Sequence, residues 1–427
     1  MARKLISFLG INPYHEGIYE LDGADGYRTC FVQTALARII PGLDLVTVLV
    51  TEEAQKRNWE GDAGLWQTAQ KHCHQIPFVL KQTKEGKTIK EIWEIFDDIR
   101  GLIDEKDEVF LDVTHSFRSL PIINLACVQY LKALKKVRVN RIYYGAWDAR
   151  KPLKNPQEYQ EPPHVPVFDL TPFLELMDWS RAVHEFEKHG QVQSLMDLVH
   201  KEVLPRRKSS KGQDQEAKLL EMLVGLLENT QQNIATCRGQ QIYTQEPWHK
   251  ASELLKGLQA VPSTIAAFYP LLDMIQAKLE QLRGPEIKLD ERVLRGFGAV
   301  SWCLEHGLVQ QAYTLLQENI ITWFCIEVGN DYQQRSNREL VTQALSLASR
   351  DIPAAKWHGQ AAKNPEKIKE IQKLFSKDFL KLYNKLYQNR NDINHAGTVK
   401  CFHANKLIKD VGGLYQKVIA DLSRHSG

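Results

Sequence analysis

The chain has 427 residues, 43% hydrophobic and 25% charged, the composition of a globular protein of two or three domains. A net charge of +3 gives no overall basic field, which excludes a protein that coats nucleic acid and leaves room only for a local site. Seven cysteines form no CxxC pair and read as reduced cytoplasmic thiols; no signal-peptide core is evident, and no stretch approaches the ~18 apolar residues of a membrane span.

The first 172 residues alternate strand-like and helix-like segments. Leu5–Leu9 is a short apolar run closed by Gly10. A polar loop leads to Cys30–Ile40, which has helical spacing and stops at Pro41-Gly42. Leu45–Val50 is β-branched and almost wholly apolar, as in a strand buried on both faces. Ile76–Leu80 is a weaker strand. Ile89–Ile103 is helical, Val109–Val113 a strand, Leu120–Leu134 a helix and Val137–Tyr144 a strand. This alternation predicts a parallel sheet with helices on both faces. Five prolines mark 151–166 as a connector, and Val167–Leu170 is a last strand. From about 172 onward helical periodicity takes over. Segment 200–216, with its basic run Arg206–Gly212, is expected to be an exposed loop. Leu308, Ala312, Leu315 and Leu316 mark a core-facing helix. Asn364-Pro365-Glu366 starts another, continued by Ile368, Ile371, Phe375, Phe379, Leu382 and Leu386. Trp302, Trp323 and Phe324 are core candidates.

Ligands of an open parallel sheet bind outside the carboxyl ends of its strands. Three polar loops fall there: Gly10-Ile11-Asn12-Pro13-Tyr14, the turn at Thr51, and Asp112-Val113-Thr114-His115-Ser116-Phe117-Arg118. The third runs from a buried strand into a helix. Its backbone N–H groups, with Thr114 and Ser116, can hold phosphate or ribose oxygens, and Arg118 can pair with a phosphate. The blander alternative is that Asp112 and Thr114 only cap a helix and His115 is an ordinary polar residue. No GxGxxG or GxxxxGK[ST] occurs, which argues against a dinucleotide or P-loop site. His72-Cys73-His74 lacks the second ligand pair a zinc site needs.

The second candidate site is Arg390-Asn391-Asp392-Ile393-Asn394-His395. Asn391 and His395 are four residues apart and share a helix face. Arg390 lies about 140° of helical turn from His395, so the two diverge within one chain. RNA carries its own nucleophile, the 2′-OH. An imidazole can move the protons and a guanidinium can stabilise charge at phosphorus, with no metal required. A lone Arg-x4-His is weak on its own, and a polar helix end is its ordinary explanation.

Asp112-Val113-Thr114-His115-Ser116 resembles the DxTHG-type motif of CRISPR-associated proteins of type III systems, with Ser116 where that motif has Gly. Leu5–Gly10, the Thr51 turn, Tyr143-Tyr144-Gly145 and Asp169-Leu170-Thr171-Pro172-Phe173 resemble further landmarks. The resemblance covers residues 4–180 and the C-terminal motif, and leaves about 185–285 unmatched. It implies an α/β Rossmann-like CARF domain (1–172) that senses cyclic oligoadenylate, a helical linker region (173–286) and a HEPN ribonuclease domain (287–427). It further implies a homodimer or higher even oligomer whose HEPN sites form where two chains meet. The activator contacts would be Gly10, Asn12, Tyr14, Thr51, Asp112, Thr114, His115, Ser116 and Arg118, with cyclic tetra-adenylate the favoured ring. Arg390, Asn391 and His395 would cut single-stranded RNA. Two rivals stand beside this: a ring nuclease that degrades cyclic oligoadenylate in the CARF site, and a non-catalytic adaptor or regulator. A regulator should show a winged helix with a basic recognition helix, and no such pattern is found.

Overall fold

The computed structural model describes residues 2–21, 25–115, 120–150, 162–261, 269–398 and 401–425. The chain forms two compact units, residues 1–177 and 178–427. The first is an α/β sandwich around one eight-stranded sheet. Its strands are β1 (Arg3–Leu9), β2 (Gly17–Leu21), β3 (Tyr27–Thr29), β4 (Leu45–Val50), β5 (Phe78–Gln82), β6 (Glu108–Asp112), β7 (Arg138–Gly145) and β8 (His164–Asp169). They lie in the order β3-β2-β8-β7-β6-β1-β4-β5.

β7, β6, β1, β4 and β5 run parallel, and β8 turns antiparallel to β7. Parallel strands need covered faces, and the alternation of side chains along β1 supplies them. Leu5 and Leu9 pack into a core under the helices Val32–Ile39 and Leu65–His72. Ile6 and Phe8 pack on the other face, under Ile95 and Ile99 of Ile89–Leu102 and Cys127, Val128 and Leu131 of Leu120–Lys135. After β2 and β3 at one edge of the sheet, the chain adds β4 and β5 on one side of β1, then crosses to β6 and β7 on the other. The strand order therefore reverses between β1 and β6, which places a crevice at their carboxyl ends.

Several boundaries in this unit depart from the sequence reading, among them that of β8, which begins at His164, inside the segment read as a connector. The polar loop after Gly10 contains a hairpin, β2 and β3, which pairs with β8 at the sheet edge. Strand β5 begins two residues later than Ile76, at Phe78.

The second unit is all helical among its described residues. One continuous buried cluster runs through it and takes side chains from both 178–286 and 287–427. At its centre is the helix Val309–Glu327, whose buried residues face every direction. Trp302, Trp323 and Phe324 are buried there as expected. The basic run at 206–212 is not wholly loop: the helix Gln193–Ser209 continues through Arg206, Arg207 and Lys208. Arg206 pairs with Asp214 at 2.8 Å and Glu216 at 2.6 Å, which folds the following turn back onto the helix. The expected single helix from Pro365 is two, Pro365–Gln372 and Lys377–Asn394. Ser376 caps the second, its hydroxyl accepting from the Phe379 N–H at 3.0 Å. Among the described residues no helix is long and apolar enough to cross a membrane.

Candidate functional sites

The crevice predicted by the strand order is a cavity of about 460 Å³ at the ends of β1, β6 and β7, lined by Gly10, Asn12, Tyr14, Thr114, His115 and Gly145 among others. Its floor is a hydrogen-bond network. Asp112, the last residue of β6, is 1% exposed. One carboxylate oxygen accepts from the Ser7 hydroxyl on β1 at 2.5 Å; the other accepts from the Thr114 N–H at 3.0 Å and hydroxyl at 2.5 Å. The Thr114 hydroxyl in turn accepts from the Gly145 N–H at 2.7 Å. This chain ties the ends of β1, β6 and β7 together. Burial pushes the Asp112 carboxyl up, against the pull of the Ser7 and Thr114 hydrogen bonds. Asp112 is therefore spent on shaping the turn and lies beneath the cavity lining.

Glycine is required at 145 by close approach: an added Cβ would sit 2.9 Å from Val32 Cγ2 and 3.2 Å from Thr114 Oγ1. The loop after β1 is held by Asn58, which donates to the carbonyls of Gly10 at 2.7 Å and Asn12 at 2.9 Å. Tyr14 closes the loop, its phenol oxygen accepting from the Gly10 N–H at 2.8 Å. Burial pushes that phenol well above its ordinary range, so it keeps its proton. The edge of Tyr14 meets the His115 ring at a centroid distance of 4.6 Å. Burial lowers the His115 imidazole to about 4, so it is neutral at physiological pH. Its Nε2 is buried with no hydrogen-bond partner among the described residues, and the residue lines the cavity. A neutral imidazole and a protonated phenol can exchange hydrogen bonds with an anionic ligand without adding charge.

Thr51 is not in this cavity. β4 lies on the far side of β1, so its carboxyl end opens toward β5, and Thr51 lines a separate cleft there. Its hydroxyl accepts from the Ala54 N–H at 3.2 Å and caps a short helical turn. Ser116 and Arg118 lie outside the described residues. The sequence reading missed His15 and Trp147, whose rings stack at 6.2 Å with 27° between planes on the cavity wall. Trp147 follows Gly145 by two residues, so the end of β7 was the available signal.

The second site lies at the end of the helix Lys377–Asn394. His395 is its C-cap, its N–H bonded to the Asn391 carbonyl at 2.9 Å. Ala396 and Gly397 then take φ of 52° and 66°, and the Gly397 N–H returns to the Asp392 carbonyl at 2.8 Å. This left-handed finish stops the helix and leaves His395 exposed on its last turn. Asn391 and His395 line one groove of about 480 Å³, with Arg350, Tyr387 and Asp392. Asp392 is 7% exposed, with one carboxylate oxygen near the Phe402 N–H at 3.4 Å and the other without a partner among the described residues.

Arg390 is not among the residues lining that groove. Its guanidinium points to Glu318 on the central helix, at 3.8 Å. Glu318 also binds Arg338 at 2.7 Å. The neighbouring Asn389 is buried and donates to the Tyr313 hydroxyl at 3.0 Å, which fixes the helix against the core. One chain thus brings Asn391 and His395 together and sends Arg390 to another face, the divergence expected from helical geometry.

An open-sheet domain with a polar cavity at its topological switch point is followed by a helical unit with an imidazole groove. The comparisons with known proteins agree for the first part. The family model described as CRISPR system endoribonuclease Csx1, CARF domain, matches residues 4–148. The CRISPR-associated protein MJ1674 of Methanocaldococcus jannaschii is 36% identical over 125 residues; that match covers 29% of this chain and 18% of the relative. A structure of Enterococcus italicus Csm6 bound to cyclic hexa-2′-fluoro-hexa-dAMP aligns over 99% of this chain and 94% of its own, at 15% identity and a TM-score of 0.47. The N-terminal unit is a Rossmann-like CARF domain, and an all-helical region follows it.

Proposed function

We propose that this chain is a cyclic-oligoadenylate-activated, metal-independent endoribonuclease that cuts single-stranded RNA in type III CRISPR defence. The observation that carries the reading is the groove of His395 and Asn391, in a chain whose first unit is a CARF domain. His395, on an exposed helix end, takes the 2′-OH proton as general base; the attack on phosphorus gives a 2′,3′-cyclic phosphate and releases a 5′-OH. Arg390 supplies positive charge to the phosphorane. Because Arg390 and His395 diverge in one chain, the working centre is built where two HEPN units meet, in a homodimer or higher even oligomer.

The activator binds the cavity at Gly10, Asn12, Tyr14, Thr114 and His115, with Asp112 organising the loop beneath it. A two-fold dimer presents that cavity twice. One ligand touching both copies equally must contain a two-fold axis, which even-membered rings have, and cyclic tetra-adenylate is the favoured ring. A compatible second reading is that the cavity also degrades its activator; the unpartnered Nε2 of His115 supports it.

The test is to incubate the purified protein with labelled RNA and each cyclic oligoadenylate in turn. Cleavage is expected with an even-membered ring, in the presence of EDTA, leaving cyclic phosphate ends. Products with 5′-phosphates, formed only when Mg²⁺ or Mn²⁺ is restored, would overturn the metal-independent chemistry. Chromatography of the activator after incubation decides whether it is linearised.

A further inference from the structure

The groove beside His395 holds more than the Arg-x4-His motif requires. Along the helix Lys377–Asn394, the groove residues Asn384, Gln388, Asn391 and His395 fall at i, i+4, i+7 and i+11, one continuous polar stripe. The buried residues Phe379, Tyr383 and Leu386 hold the opposite face in the core. Across the groove, at the end of the helix Arg335–Ser349, stands Arg350. Its guanidinium lies over the Tyr387 ring at 4.9 Å. The guanidinium also reaches the Tyr387 phenol, which takes up one of its N–H donors and leaves the others for a ligand. Arg350 is exposed, it is the one cation among the described residues lining the groove, and no ion-pair partner within 4.0 Å is found for it among the described residues. The Asn391 side chain and Arg350 both approach the Tyr387 phenol and hold it below its ordinary value.

We infer that this groove is a track for single-stranded RNA, in which Arg350, poised on Tyr387, grips the phosphate of a nucleotide adjacent to the cleaved one. The inference rests on the ribonuclease reading for the identity of the polymer. Tyr387 is eight residues before His395, about 12 Å along the helix axis. A group placed there is too far along to serve the scissile phosphate and well placed for a neighbour. The side-chain amides of Asn384 and Gln388 continue the path with donors that do not depend on sequence. An arginine that binds a phosphate remote from the reacting bond contributes to holding the substrate, so its removal should raise KM more than it lowers kcat.

The test uses the full-length chain carrying His395→Ala, which binds RNA without cutting it, with cyclic tetra-adenylate present. Fluorescence anisotropy with a labelled single-stranded oligonucleotide gives Kd across a salt series. Adding Arg350→Ala should weaken binding about tenfold and reduce the slope of log K against log salt by about 0.7, the loss of one phosphate contact on a single strand. Arg350→Lys should keep the slope, since it keeps the charge. An unchanged Kd, or a weakened Kd with an unchanged slope, would overturn the inference; the second would mean that Arg350 acts only by packing on Tyr387. If Arg350→Ala fails to fold, Arg350→Gln against Arg350→Lys makes the same comparison. Separate outcomes judge the underlying reading: cleavage that persists in His395→Ala defeats the ribonuclease assignment and leaves the binding result to stand alone.

Discussion

The two sites are built on opposite principles. The floor of the CARF cavity is built within one chain: Ser7, Asp112, Thr114 and Gly145 form a continuous hydrogen-bond chain across three strand ends, with Asp112 almost wholly buried. The helical groove is open and unfinished: His395 is exposed on a helix end, and the motif's arginine faces Glu318 on another side. A pocket that must recognise a ligand gains from being preorganised. A centre that must stay quiet until signalled gains from being incomplete. Under the proposed function, the difference would place control in the second unit, whose parts a bound activator would bring into register.

The largest effects should come from the unfinished site. Replacing His395 with Ala should lower RNA cleavage by about 10²- to 10⁴-fold, the range of general acid–base catalysis, and leave activator affinity unchanged. Arg390→Ala should do nearly the same. Normal cleavage by a clean His395→Ala preparation would erase the distinction between the two sites.

The next effect probes the closed site. Gly145→Ala puts a methyl group against Val32 and Thr114 and must shift the end of β7. The activator concentration for half-maximal cleavage should rise by tenfold or more; a variant that folds and responds as the wild type would show that the end of β7 is not part of the pocket. Thr114→Val removes the hydroxyl that links Asp112 and Gly145, leaving the Gly145 N–H unpaired and the Asp112 oxygen with only the backbone N–H of residue 114. That should cost about 1–3 kcal/mol of stability, visible as a lower denaturant midpoint. A midpoint within error of wild type would mean that the network is not structural.

A further effect is electrostatic and appears only on acidification. His115 is held neutral, with its value lowered from 6.5 to about 4. Between those values the unfolded chain binds the proton that the folded chain refuses. Stability therefore falls as pH drops through this window, by at most about 1.4 kcal/mol per pH unit from this residue. His115→Asn should flatten that part of the profile. An equally steep fall in the variant would assign the acid sensitivity to other groups.

Much of this was legible in the sequence, and unevenly so. Near-continuous apolar runs at Leu45–Val50 and Val109–Val113 announce doubly covered parallel strands, and the alternation of elements implies the crevice that the cavity occupies. The Thr51 turn shows the limit of that logic. It sits at a strand's carboxyl end, as Gly10 and Thr114 do, but strand order decides which ends adjoin, and periodicity does not reveal that β4 lies across β1 from β6. The β2–β3 hairpin was hidden because five- and three-residue edge strands carry little pattern. In the helical unit the facing of Asn391 and His395 follows from spacing alone. Arg350 could not be found that way, since it reaches the groove from a helix some 40 positions earlier in the chain.

Under the proposed function, a nucleotide in the CARF cavity governs chemistry at the helical groove. The most direct measurement is the initial rate of RNA cleavage against cyclic tetra-adenylate concentration, for the wild type and for Thr114→Val side by side. The wild type should rise steeply from a low rate to a plateau, and the variant's curve should move to higher activator concentration. Cleavage that ignores the activator, or two curves that superimpose, would contradict the account.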